Sequence, residues 1–167
     1  GLDHILFVLG LFLLSSRVRS LVWQVTAFTV AHACTLTAAT VGAVEVSANI
    51  VEPLIAVSVA YIAIENIFVD HLTLWRPVIV FGFGLLHGLG FASALGALEL
   101  AEHERILALL SFNAGIEIGQ LAVIATAVVC IGRFRGFSWY RARIVIPVSA
   151  MIAIMGSVWA VERMLDL

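Results

Sequence analysis

Runs of apolar residues, broken by short charged or turn-rich stretches, divide this chain into six segments at about 2–15, 21–43, 50–69, 77–98, 106–131 and 144–163. Several of these runs reach or exceed the roughly 18 residues that cross a hydrocarbon core. They are too numerous to be one signal peptide ahead of a soluble body. The pattern predicts an all-α fold: a polytopic transmembrane helical bundle of about six helices, forming a single domain over 1–167. The connections are short, so sequential helices are expected to be antiparallel neighbours. The first run, Leu2 to Leu14, is brief for a full span, and the sequence opens on Gly1 rather than methionine, so an upstream part of a longer chain is expected. Pro53 and Pro77 fall near segment starts, where a missing backbone N–H costs little, which leaves Pro147 as the proline expected to bend a helix.

Composition strengthens the membrane reading. Of 167 residues, 62% are hydrophobic and 12% are charged, whereas a soluble domain carries about 25% charged residues. Nucleic acid is not an expected partner; the lipid bilayer is. Cys34 and Cys130 lie far apart in apolar runs and read as small buried hydrophobes. Charge placement adds an orientation. Arg17, Arg19, Arg76, Arg133, Arg135, Arg141 and Arg143 fall after the first, third and fifth segments, and the chain has no lysine. The opposite loops carry Glu45, Glu99, Glu102, Glu104 and Arg105. By the positive-inside rule the Arg-rich side is cytoplasmic, and both ends of this sequence face the periplasm or exterior. Gly84 and Gly88 in the fourth segment, and Gly115 and Gly119 in the fifth, have the spacing that lets two helix backbones touch, so these two helices are expected to pack closely.

Against this background the polar residues within the spans stand out, because each ionisable group there costs about 2.5–3.5 kcal/mol on insertion scales. They are Asp3 and His4 in the first segment, His32 in the second, Glu52 and Glu65 in the third, His87 in the fourth, and Glu117 in the fifth, with Asn113 and Gln120 beside it. Counting at 1.5 Å per helical residue from the cytoplasmic arginines puts His4, His32, His87 and Glu117 in one layer, about 16–24 Å in. Asn113, Glu117 and Gln120 share a helical stripe, as do His32 and Thr35. Glu52 enters from the outer side, and Glu65 lies about 20 Å further along the same helix, as a brace or as a ligand. Asp70, His71, His103 and the acids between the fourth and fifth segments read as solvated loop residues.

The charge count then matters. Asp3, Glu52 and Glu117 would place three negative charges in the layer, and no Lys or Arg lies mid-span to offset them. Protonation, a proton-relay network or a bound cation would resolve this. Histidine with carboxylate favours a divalent transition metal such as Zn, Ni, Fe or Mn, as one or two ions, over the all-oxygen sets of Mg or Ca. Asp3, His4, His32, His87, Glu117 and Glu65 are the expected metal residues.

The strings GLDHILFVLGL, FTVAHACTL, VEPLIAVSVAYIAIEN, FGFGLLHGLGFASAL and FNAGIEIGQL carry a resemblance that spans nearly the whole chain. In this order they resemble the HupE/UreJ family of hydrogenase and urease accessory membrane proteins. The resemblance implies a multi-pass protein of the bacterial inner membrane, a nickel permease or metal-handling accessory. It falls on Asp3, His4, His32, Glu52, Glu65, His87, Asn113 and Glu117.

Two functions follow. Five or six ligands in one layer suit a tight metal centre with an open position, which would activate water for hydrolysis of a lipid-like or small ester or amide substrate. There Glu52 serves as general base, with Asn113 or Thr35 orienting the water. On ligand number, a metal-dependent hydrolase is the preferred expectation. Nickel or cobalt permeation, or metal handling as an accessory, is the alternative; it needs fewer ligands and alternating access, and no internal repeat is visible.

Overall fold

The computed structural model describes residues 1–15, 17–96 and 102–165, and these fold into six α-helices. They are α1 (Leu2–Leu14), α2 (Val18–Thr40), α3 (Ala48–Phe68), α4 (Arg76–Gly96), α5 (Glu102–Ile131) and α6 (Ile146–Leu165). Four stretches are long and apolar enough to cross a bilayer: Val18–Thr40, Ala48–Phe68, Glu104–Phe134 and Arg141–Leu165. Leu2–Leu14 and Arg76–Phe91 are apolar but shorter. The protein is a multi-pass membrane protein. Glu99 lies outside the described residues, as do the side chains of Glu102 and His103.

The helix ends follow local chemistry that hydropathy does not report. Helix α2 stops at Thr40 because Gly42 adopts φ 75°, and the amides of Gly42 and Ala43 donate to the carbonyls of Ala39 and Ala38. This is a Schellman closure, for which glycine is suited because it has no Cβ to clash in the left-handed region. Helix α3 starts at Ala48, which puts Pro53 inside the helix rather than at its start. Just ahead of Pro147 the backbone widens into a π-turn over Arg141–Val145. Proline lacks the N–H that an α-helix would use there, so the expected irregularity takes this form.

Short α1 is the axis of the bundle. Phe7, Val8, Leu11 and Phe12 are fully buried, and α1 packs on α3 and α5. The rest of α1 is mostly enclosed as well, with Leu2 and Ile5 exposed near its start, so its 13 residues pack chiefly against protein. Around it the closest pairs are α2 with α4 and α3 with α6. The expected close packing of α4 on α5 through glycines is not what forms. A Cβ on Gly84 would lie 2.5 Å from the carbonyl oxygen of Phe28, and one on Gly88 would strike His32 and Thr35, so both glycines serve contact with α2. Gly156 plays the same part for α6, where a Cβ would stand 2.8 Å from the Ala60 nitrogen. Among the described residues nothing lies within 4 Å of a Cβ on Gly115 or Gly119. Cys34 and Cys130 are exposed on the helix surfaces, contrary to the buried reading.

The Arg-rich end is tied by a buried polar knot. The Arg76 guanidinium, fully buried, donates to Glu65 Oε2 at 2.8 Å and to Asn66 Oδ1 at 3.1 Å. Asn66 in turn donates to the Gly10 carbonyl at 2.8 Å and to Ser149 Oγ at 3.3 Å, joining α1, α3, α4 and α6. Arg141 donates to the carbonyls of Ile67 and Val69, both at 2.9 Å, satisfying acceptors that the end of α3 leaves open.

Candidate metal centre

Helices α1, α2 and α4 each bring one histidine to the same buried region, with His4 next to each of the other two. The His4 ring centre lies 5.0 Å from that of His87 and 5.5 Å from that of His32. All three are buried. Phe7, Phe28 and Phe91 stand around them, with Phe28 5.0 Å from His87 and Phe91 5.5 Å from His4. Imidazoles sharing one tetrahedral ion, with metal–nitrogen bonds of about 2 Å, have ring centres roughly 5 Å apart.

Hydrogen bonds fix two of the tautomers. Ser58 Oγ donates to the Ile55 carbonyl at 2.7 Å and so meets His87 Nε2, 2.9 Å away, as an acceptor. His87 therefore carries its proton on Nε2 and keeps a lone pair on Nδ1. Asn113 donates through Nδ2 to the Leu109 carbonyl at 2.8 Å, leaving Oδ1 to accept from His32 Nδ1 at 3.2 Å. The His32 lone pair then sits on Nε2. Among the described residues His87 Nδ1, His32 Nε2 and His4 Nε2 are buried without a hydrogen-bond partner. Such nitrogens are costly unless a donor or a metal ion meets them, and a bond on the opposite ring atom is how metal-binding imidazoles are held. The donor set thus fits a transition metal. The three rings do not yet form a closed ligand set: among the described residues no three His, Cys, Asp or Glu side chains stand in the arrangement of a preformed metal site.

The expected carboxylates are distributed differently. Asp3 accepts from Arg163 Nη2 at 3.0 and 3.3 Å, and Arg163 also donates to the Glu52 carbonyl at 3.1 Å. Glu65 belongs to the Arg76 knot at the other end of the bundle. The expectation that no basic residue offsets Asp3, Glu52 and Glu117 is therefore corrected for Asp3, which pairs with Arg163; Glu65 stood outside that count. Glu117 Oε1 accepts from Thr26 at 2.9 Å, while its Oε2 is unpartnered among the described residues. Glu52 is exposed and, with Asp3, His4, His87 and Arg163, lines a cleft of about 220 Å³. Thr35 donates to the Leu85 carbonyl at 2.7 Å, so its hydroxyl helps join α2 to α4. Asp70 and His71 are an exposed loop pair, as expected.

Sequence reasoning missed Ser58 and Arg163. Ser58 had a faint signal as a lone hydroxyl between Val57 and Val59. Arg163 looked like an ordinary helix terminus, and only the fold brings it to Asp3.

A family model described as HupE / UreJ protein matches residues 1–163. The chain belongs to the HupE/UreJ family. That match covers every residue of this HupE/UreJ site, from Asp3 to Arg163. No curated protein and no solved structure matches the chain closely enough to add to it.

Proposed function

We propose that this HupE/UreJ chain handles a divalent transition metal, nickel or cobalt, as cargo, with His4, His32 and His87 as its transient ligands. The observation that carries the reading is the trio of buried, unpartnered imidazole nitrogens, two of them oriented by Ser58 and Asn113. Family membership points the same way. Borderline nitrogen donors suit these ions. With Arg163 offsetting Asp3, the Glu52 carboxylate leaves the adjoining cleft net negative, and Arg163 holds Asp3 and the Glu52 backbone in place.

Hydrolysis loses its premise in this arrangement. It rested on five or six ligands in one layer, yet Asp3 and Glu65 pair with arginines and Asn113 accepts from His32. A small, loosely convergent set is what a transit site needs, because cargo must leave as well as bind. The membrane is the bacterial inner membrane in this reading, with the Arg-rich turns cytoplasmic.

The test is Ni²⁺ or Co²⁺ uptake into proteoliposomes of the purified chain, alongside binding by calorimetry. Saturable uptake abolished by His32→Ala or His87→Ala is the expected result. Binding without uptake selects an accessory that holds metal for a partner, and absence of binding overturns the metal reading.

A further inference from the structure

At the Arg-rich end, away from the histidines, a cavity of about 380 Å³ lies between the end of α1 and the turn leading into α6. Arg135, Tyr140 and Arg141 line it together with Leu13, Leu14 and Asp70. The Arg135 guanidinium is fixed: it lies 3.9 Å over the Phe12 ring and donates through Nη2 to the Phe12 carbonyl at 2.6 Å. Its Nε–H nevertheless has no acceptor among the described residues, and neither does the Tyr140 hydroxyl, on a side chain only 8% exposed. Two buried donors without acceptors among the described residues, on side chains that line one cavity, call for a ligand that supplies acceptor oxygens. Two arginines against the single Asp70 carboxylate leave the lining net positive, and Asp70 sits at the exposed rim with His71 donating to it at 2.8 Å.

The surroundings say which anion. The turn that carries Arg135 packs Phe134, Phe137 and Trp139 against one another, with ring centres 5.4 to 6.5 Å apart, and Arg133 covers Phe134 at 4.7 Å. Phe137 is exposed, and so are Leu74 and Trp75 in the α3–α4 turn. Aromatic side chains beside arginines at the ends of spanning helices mark headgroup depth. Leu13, Leu14 and Val145 give the cavity an apolar side as well. We infer that this cavity is a binding site for the phosphate of an anionic phospholipid headgroup, held by Arg135 Nε and the Tyr140 hydroxyl within the field of Arg141. Basic pockets between helices at this level take such lipids; charge-assisted bonds from a fixed guanidinium hold the phosphate, and the net positive lining selects against a headgroup that adds a choline cation beside it. The inference is independent of the metal reading.

The experiment titrates the purified chain in detergent with dioleoylphosphatidylglycerol, and with dioleoylphosphatidylcholine as the zwitterionic control, and counts bound lipid by native mass spectrometry. Phosphatidylglycerol is retained preferentially. Tyr140→Phe and Arg135→Gln each weaken it about tenfold, the loss expected for one hydrogen bond to a charged group. Phosphatidylcholine retention stays constant, and millimolar inorganic phosphate does not displace the lipid. Arg135 also braces Phe12, so if Arg135→Gln fails to fold, Tyr140→Phe, which keeps the ring, decides alone. Equal retention of the two lipids, or unchanged phosphatidylglycerol binding in Tyr140→Phe, overturns the site. Full displacement by inorganic phosphate overturns the lipid in favour of a soluble anion.

Discussion

An imidazole becomes a useful ligand when its second nitrogen is held, and here the holders are Ser58 for His87 and Asn113 for His32. Ser58→Ala and Asn113→Ala should therefore lower Ni²⁺ affinity about 10–100-fold while leaving the helices intact, as calorimetry and circular dichroism would register together. Unchanged affinity in both variants would mean that the tautomers are irrelevant to binding. Glu65 makes a different prediction. Paired with Arg76, and with both side chains almost fully buried, it is a structural partner. Arg76→Met alone strands a buried carboxylate and should cost about 3–5 kcal/mol, whereas adding Glu65→Gln should recover much of that. Unfolding titrations of the single and double variants measure it, and an equal loss in both would deny the pair its role. The histidines were legible in the sequence because a polar residue in an apolar run is conspicuous on its own. Of their partners Asn113 was conspicuous too, though not as the partner of His32, whereas Ser58, and Arg163 as the partner of Asp3, have no meaning until a neighbouring helix is in place.

At the level of helices, small residues decide which surfaces meet. The glycines at 84 and 88 let α4 lie against the backbone of α2 beside His32, so the same contact that packs the two helices also brings His87 to His32's neighbour His4. Gly88→Ala should push α2 and α4 apart, destabilise the fold by about 1–3 kcal/mol through overpacking, and weaken metal binding with it. Gly115→Ala and Gly119→Ala, where a Cβ meets nothing within 4 Å among the described residues, should keep or slightly raise the melting temperature, because alanine favours a helix interior by up to about 1 kcal/mol. A thermal-shift series over the three variants compares them directly. Spacing alone had paired α4 with α5, because four-residue glycine repeats announce that a close contact exists without naming its partner. The same limit applies to helix ends. The α2 terminus is set by the left-handed Gly42 and two backbone bonds, three residues before hydropathy falls away.

For the whole molecule, embedding follows from a hydropathy that adds along the chain, and the proposed orientation from the bias of the arginines. Alkaline phosphatase fused in the 41–47 loop should be active in the periplasm, and fused after Gly136 it should be inactive; the opposite pattern would invert the topology read from the arginines. The sequence by itself determined that this is a helical membrane protein, where its helices lie to within a few residues, and that His4, His32 and His87 share one depth. Hydropathy, helix rise and charge bias are one-dimensional, so they survive without a fold. Only the tertiary structure decided which polar groups are free. Asp3 meets Arg163 across 160 positions, and Glu65 meets Arg76, which in the sequence only marked the Arg-rich side. Those pairings depend on how each helix is rotated and which neighbour it faces, and in a bilayer that is fixed by close packing of small residues and by hydrogen bonding, because the lipid gives every apolar face much the same welcome.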